Sequence, residues 1–336
     1  YFNTPNQEAL CKKISALECS ESAMIFGSGM AAISTTLLAF LSSGDHILLQ
    51  KDIYGGTRNL VEAQFDRYNI DYTFTDDIDL KYFESAIKKN TKVIYIETPS
   101  NPLLKIIDIE KIAQFAKSKN IITIIDNTFA TPIIQKPILF GVDIVLHSAT
   151  KYFGGHSDIS AGAVAGSQDH IDKIWNLAKN LGGNLSDYSV WLLERSMKTL
   201  SIRVKAQQKN AKKLAKYLSK SSFIKKVYYP GLKNHPNHIL AKKQMKGFGA
   251  MISFEFIDKI DPSLFLTSLN LIKPSMSLAG VESTMLSPAE TSHYLLTEKE
   301  RLSQGITKEL IRFSVGIENK KDIIMDIEHA IKLSIK

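Results

Sequence analysis

The sequence predicts an α/β protein, a mostly parallel sheet with helices on both faces, followed by a smaller C-terminal α+β domain. Three observations carry that reading. Short apolar runs alternate with helix-patterned stretches from residue 46 to residue 147. The runs at 92–97, 121–126 and 142–146 are short and dominated by Ile and Val, as strands buried on both faces require. After about residue 200 the alternation stops, and a Lys-rich helix, a Pro/Gly/Asn-rich loop (230–238) and two strand-like runs take over. The expected domains are therefore 1–200 and 201–336.

Each element has its own local signal. Thr4, Pro5 and Gln7 place an N-cap, an N1 proline and an N3 glutamine at the start of a helix running to about Glu18. Ala23 to Phe26 is a short strand leading into FGSGMAAISTTLLAFLSSGD. There Ser28 can cap a helix that begins at Gly29, and Gly44 is expected to end it. HILLQ (46–50) is a strand, followed by a helix from about Thr57 to Tyr68. DYTFT (71–75) is the next strand, with a helix near 80–89. The strand at 92–97 leads through ETPSNP to a helix over 108–120, and strands at 121–126 and 142–147 follow. Beyond residue 200, Ala211, Leu214, Leu218 and Phe223 fall roughly at helical spacing among the lysines of 209–226. Strands are expected at 250–256 and 310–317, and a last helix to about Ile335.

Composition narrows the class. The 336-residue chain has a formal net charge of +8, from lysines scattered along helix faces rather than joined to an aromatic reader motif. Nucleic acid is not an expected partner. No apolar run reaches about 18 residues, so neither a membrane span nor a membrane partner is expected. Cys11 and Cys19 lie eight residues apart in one apparent helix, about 12 Å, beyond the roughly 7 Å reach of a disulfide. Two unpaired cysteines fit a reducing cytoplasm. The chain begins at Tyr1 without a methionine, so a preceding natural segment, with any targeting signal, is expected.

The chemistry concentrates in LHSATKYFGGHSD, residues 146–158. Lys151 follows a strand end, where partial desolvation favours a neutral amine that can attack a carbonyl and form a Schiff base. Ser148 and Thr150 can donate to a phosphate, as can the N–H groups at Ser28, Gly29 and Met30 at a glycine-rich helix start. Asp126 ends an apolar strand, and a carboxylate there wants a cationic partner such as a protonated heterocyclic nitrogen. A Schiff-base lysine with an Asp on a pyridine nitrogen is how a protein holds pyridoxal phosphate as an electron sink. Tyr54, just past a strand end, can stack on such a ring. Glu97 has two readings, a catalytic carboxylate and, favoured by its place before Thr98-Pro99, a structural one. His147 and His156 lack a second ligand pair, so no metal is expected. No G-x-S-x-G elbow supports a hydrolase. A rival reading of another class uses GSGMAA as a G-x-G-x-x-A dinucleotide fingerprint, with Asp52 on the ribose of NAD(P). It leaves Asp126, Lys151 and Tyr54 without work.

Seven motifs, FGSGMAAI, DIYGGT, ETPSNP, DNTFATP, HSATKYFGGHSD, SLAGVES and LIRFSVGIE, stand in this order along the whole chain. Through them the chain resembles the Cys/Met-metabolism pyridoxal-phosphate enzymes, the cystathionine synthases and lyases and the methionine γ-lyases. The resemblance implies the aspartate-aminotransferase-like fold (fold type I). It implies Lys151 as the Schiff-base lysine, Asp126 on the pyridine nitrogen and Asn101 near the phenolic oxygen. Ser28, Gly29, Met30, Ser148 and Thr150 would take the phosphate, and Tyr54 would stack on the ring and assist proton transfer. Arg312 with Ser277 would hold the substrate carboxylate. Family members carry a Tyr-x-Arg pair that reaches the phosphate of the neighbouring subunit, and its position here falls just before Tyr1. A homotetramer, a dimer of dimers with sites at the subunit interface, is the implied assembly. Methionine γ-lyases typically have Cys where this chain has Gly56, and cystathionine γ-lyases Glu where it has Met276. Arg58 is a candidate anchor for a distal substrate carboxylate, which favours cystathionine or an acylated homoserine over methionine. The expected function is trans-sulfuration by β- or γ-elimination or replacement, with methionine γ-lyase as the alternative.

Overall fold

The computed structural model describes residues 2–291, 294 and 297–336. The chain folds as two compact units. The first comprises Tyr1–Pro99, Ile106–Gly154 and Asp158–Lys198. The second begins at Thr199 and also takes in Ser100–Lys105 and Gly155–Ser157, two loop segments that the sequence pattern had placed in the first domain.

Among the described residues, the first unit carries a seven-stranded sheet. Its strands are β1 (Ser22–Phe26), β2 (His46–Leu49), β3 (Asp71–Phe74), β4 (Thr91–Glu97), β5 (Ile122–Asp126), β6 (Ile144–His147) and β7 (Gly162–Gly166). The order is β1-β7-β6-β5-β4-β2-β3, with β3, β2, β4, β5 and β6 parallel and β7 antiparallel to both its neighbours. Its helices are α1 (Pro5–Glu18), α2 (Gly29–Phe40), α3 (Gly55–Gln64), α4 (Leu80–Ala86), α5 (Ile109–Ser118), α6 (Thr131–Ile134), α7 (Gln168–Leu181) and α8 (Asp187–Met197). Alternate strand residues feed two cores. Val93, Tyr95, Ile124 and Leu146 pack with α2, α3 and α7, whereas Ile94, Ile96, Ile125 and Val145 pack with α4 and α5. Each such buried aliphatic side chain contributes about 1.5–3 kcal/mol. This two-sided burial explains the nearly continuous apolar runs in the sequence. The strand order, by contrast, excludes the dinucleotide reading. In that motif the strands flanking the glycine loop are parallel and belong to one βαβ unit. Here β1 is an edge strand antiparallel to β7, and four strands separate it from β2.

Local rules account for most boundaries. Thr4 and Gln7 form the capping box of α1, and Cys19 ends that helix in a left-handed conformation (φ 62°). The Ser28 side chain caps α2, but the helix stops at Phe40, short of the expected Gly44. The N–H of Ser42 bonds the Asp45 carboxylate at 2.8 Å, a local turn that competes with another helical turn, and Gly44 (φ 88°) then redirects the chain into β2. The helix expected to reach Tyr68 ends at Gln64, with a separate 3₁₀ turn at Asp66–Tyr68.

In the second unit, helices α9 (Leu200–Leu218), α10 (His238–Gln244), α11 (Pro262–Thr267), α12 (Glu298–Ser303) and α13 (Lys320–Leu333) accompany a five-stranded sheet among the described residues. Its strands, β8 (Ile224–Tyr228), β9 (Met251–Phe256), β10 (Lys273–Pro274), β11 (Thr284–Leu286) and β12 (Leu310–Ser314), run in the order β10-β11-β12-β9-β8. Only the β10–β11 pair is parallel. α9 ends at Leu218, so Phe223, expected on its apolar face, lies beyond it in the turn before β8.

Candidate active site

In a parallel sheet the strand C-termini share one edge, and here β4, β5 and β6 end on Glu97, Asp126 and His147. Beyond β6, the N–H of Ser148 donates to Thr128 Oγ1 (2.8 Å), and the N–H of Lys151 donates to the Ser148 carbonyl (3.0 Å). Lys151 therefore stands in a tight turn anchored to two strand ends. The Thr150 hydroxyl both donates to the Ala161 carbonyl (3.1 Å) and accepts from the Ala161 N–H (3.0 Å), which ties this turn to β7.

The start of α2 meets the same turn. A Cβ on Gly29 would lie 2.9 Å from Cβ and Oγ of Ser148, and one on Gly162 would overlap the Ser28 carbonyl. Glycine at both positions lets helix start and strand end approach this closely. Ser28 Oγ accepts the Ala31 N–H and the Ser28 carbonyl the Ala32 N–H. No acceptor among the described residues takes the N–H of Gly29 or Met30. Two backbone donors at a helix N-terminus, with the Ser148 side chain against them, make an anion cradle.

The remaining candidates of this unit close the circle. The Tyr54 ring lies over Gly56 in the space a Cβ would fill, and Met30 Sδ lies 3.1 Å from the same point. The Tyr54 N–H donates to Glu97 Oε2 (2.8 Å), and Glu97 pairs with Asp126 in register across β4 and β5. Asp126 Oδ1 in turn accepts the Thr128 N–H at 2.9 Å. Contacts thus run from Ser148 through Gly29, Met30, Tyr54, Glu97, Asp126 and Thr128 back to Ser148. Both carboxylates are buried. Burial pushes the Glu97 carboxyl well above the ordinary range, reinforced by the charge of Asp126 and opposed by the Tyr54 N–H. Burial likewise raises Asp126, against the Thr128 hydrogen bonds and the charge of His147. Such a site rewards a cation brought next to Asp126.

Asn101, Ser277 and Arg312 belong to the second unit. Arg312, buried on β12, donates from Nη2 to the Met276 carbonyl (2.8 Å) and from Nη1 to Asn101 Oδ1 (3.4 Å). Both acceptors are neutral. Ser277, next to Met276, is half-buried, and its carbonyl accepts the Thr284 hydroxyl (2.9 Å). Asn101, expected at a cofactor oxygen, thus accepts from the arginine expected to hold a carboxylate. Arg58 in the first unit is not part of the circle. Its guanidinium lies 3.9 Å over the Phe74 ring, pairs with Glu62 at 2.7 Å and reaches the Lys51 carbonyl at 3.3 Å.

Sequence reasoning passed over Thr128 and Gly162. DNTFATP holds the first, but a threonine that bridges two strand ends has no signature of its own, and the second needs knowledge of what lies above it.

The model of the family described as Cys/Met metabolism PLP-dependent enzyme matches residues 2–332. The chain belongs to this family. It is 44% identical over 329 residues to the cystathionine beta-lyase of Lactococcus lactis subsp. cremoris, covering 98% of this chain and 86% of that protein. It is also 44% identical over 335 residues to the L-methionine gamma-lyase of Fusobacterium nucleatum subsp. polymorphum, covering 98% and 85%. The crystal structure of cystathionine gamma-lyase from Lactobacillus plantarum complexed with L-serine superposes with a TM-score of 0.96 at 42% identity, covering 99% of this chain and 87% of that one. The fold is thus that of the pyridoxal-phosphate cystathionine enzymes, and the cofactor is pyridoxal phosphate. The residues present fit it. The cradle kept open by Gly29 matches a phosphate, the buried Asp126 matches a cationic ring nitrogen, and the turn that carries Lys151 is hydrogen-bonded to the same strand ends.

Proposed function

We propose that this family member is a trans-sulfuration enzyme that cleaves or forms the C–S bond of cystathionine-type L-amino acids by β- or γ-elimination or replacement. The observation that carries the reading is the closed circle of contacts from Ser148 through Asp126, with Lys151 hydrogen-bonded into it. When bound, pyridoxal phosphate supplies an electron sink for charge developing at the substrate Cα. The Gly29 and Met30 N–H groups, Ser28 and Ser148 hold the phosphate, with Thr150 bracing the turn. Asp126 keeps the proton on the ring nitrogen, and Tyr54 covers the ring. Lys151 takes the Cα proton, and in the γ-reactions a second one from Cβ. Arg312, whose planar fork suits a carboxylate, holds the substrate α-carboxylate, helped by Ser277, with Asn101 beside them.

Arg58 is proposed as the anchor for a distal carboxylate. Its surface pair with Glu62 is worth only about 0.3–0.5 kcal/mol and yields readily to a substrate. The assembly proposed is a homotetramer whose sites a neighbouring subunit completes. The exposed Tyr188–Trp191 pair on α8, ring centroids 5.8 Å apart, is the kind of aromatic surface a subunit contact covers. No described helix is long and apolar enough to cross a membrane, and Cys11 and Cys19 are free. The proposed location is the cytoplasm.

Product analysis tests the reaction. The enzyme is given L-cystathionine, L-methionine, or O-succinyl-L-homoserine with cysteine. Pyruvate with homocysteine identifies a β-lyase, 2-oxobutyrate with cysteine a γ-lyase, and cystathionine a synthase. Cystathionine should outpace methionine as a substrate, and Arg58→Ala should raise KM for cystathionine about tenfold, roughly 1.4 kcal/mol of lost binding. Faster turnover of methionine, with Arg58→Ala nearly silent, would make the methionine γ-lyase reading the better one.

A further inference from the structure

The last residue of α1, Glu18, is fully buried. One carboxylate oxygen, Oε1, lies 2.5 Å from Nε2 of His147 and 3.2 Å from Nδ2 of Asn127. The other, Oε2, is buried with no hydrogen-bond partner among the described residues. A buried ion pair is a poor device for stability, because well-packed apolar residues of the same volume often serve as well or better. Its partners indicate another purpose. Asn127 directly follows Asp126, and His147 directly precedes Ser148, so a single carboxylate grips the ends of β5 and β6. The His147 ring also packs on Phe153, centroids 4.6 Å apart, two residues beyond Lys151.

We propose that Glu18 is a positioning residue for the reaction: through His147 and Asn127 it sets the charge environment of Asp126 and seats the turn that carries Lys151. The inference rests on the reading of the site given above. Glu18 accepts the Nε2 proton of His147, and the charge on that ring pulls the Asp126 carboxyl down while burial pushes it up. Several neighbouring groups work against its charge. Glu97 and Tyr95 on β4 are both buried and both raised, with Asp126 contributing to each shift, and Asp52 beyond β2 raises Glu97 further. His147, held by α1, opposes them as a cationic influence on Asp126.

The experiment compares holoenzyme with Glu18→Gln, which keeps the side chain's shape and removes its charge. The readouts are the pH titration of the Lys151-dependent cofactor absorption band and the dissociation constant for pyridoxal phosphate. A less anionic Asp126 holds the ring-nitrogen proton less well, so the Lys151 nitrogen keeps its own proton to higher pH. The band midpoint should rise by about half a pH unit or more, roughly threefold in the proton equilibrium, and the cofactor should bind about tenfold more weakly. A lower melting temperature with both readouts unchanged would leave Glu18 as packing only and overturn the proposal. If Glu18→Gln does not fold, ¹⁵N-histidine spectra of the unaltered holoenzyme decide. Both ring nitrogens of His147 must keep their protons throughout the pH range in which the band titrates, and a neutral ring there contradicts the proposal. The two readings fail separately. A band that persists in Lys151→Ala removes the site assignment, whereas a Lys151-dependent band unmoved in Glu18→Gln removes this one.

Discussion

Glu97 and Asp126 show what a strand-end site costs the molecule that carries it. Burial raises both carboxyls above their ordinary values, so the folded state prefers them protonated. Stability from such groups is complete below the unfolded pKa, roughly 4, and is lost as pH rises through the folded value. Cofactor-free protein should therefore lose melting temperature as pH climbs above the ordinary carboxylate range. Glu97→Gln, which still accepts the Tyr54 N–H, should flatten that decline. Equal slopes for the two proteins would show that Glu97 is charged at no cost. At this scale the sequence was readable where chemistry needs a rare residue in a rare place. Lys151 and Asp126 stand at or just past the ends of apolar strands; alone, the lysine reads as an ordinary loop residue, and it is the company of the other motifs that points to chemistry. Thr128 and Glu18 were not readable, because their meaning lies in partners 20 and 129 residues away in sequence. Arg58 was half readable. The sequence exposes a cation near Tyr54, but not that Phe74, Glu62 and the Lys51 carbonyl already hold it.

Elements were legible to the extent that their signals are local. Capping chemistry located the starts of α1 and α2 to the residue, because Thr4, Gln7 and Ser28 act within one turn. The parallel strands announced themselves through two-sided burial. Helix ends were less legible: Phe40 ends α2 because the Ser42–Asp45 turn competes, and Leu218 ends α9 before Phe223. β10 and β11, two and three residues long, leave no periodicity to detect. The start of α2 makes the sharpest prediction at this scale. Gly29→Ala puts a Cβ 2.9 Å from the Ser148 side chain, where the cradle is narrowest. Overpacking of this kind costs about 1–3 kcal/mol, and it falls on cofactor binding because helix and turn must part. Equilibrium dialysis should show pyridoxal phosphate bound about tenfold or more weakly, with secondary structure by circular dichroism unchanged. Unaltered affinity would mean that this corner does not hold the phosphate.

At the scale of the whole molecule, the second unit begins at Thr199, close to where the β/α alternation fades, since a change of architecture shows in the hydrophobic period. The return of Ser100–Lys105 and Gly155–Ser157 to that unit was invisible, because short loops carry no period. Identity near 44% to both a β-lyase and a methionine γ-lyase places the chain firmly in its family and leaves the choice of reaction to product analysis. Everything above depends on one proposed covalent bond, the attachment of pyridoxal phosphate to Lys151 and to no other lysine. Borohydride reduction of the holoenzyme, proteolysis and peptide mass spectrometry measure it directly. The account predicts one equivalent of cofactor mass on the peptide containing Lys151. Stoichiometric cofactor mass on a different lysine, or none on any peptide of a fully loaded enzyme, would contradict it.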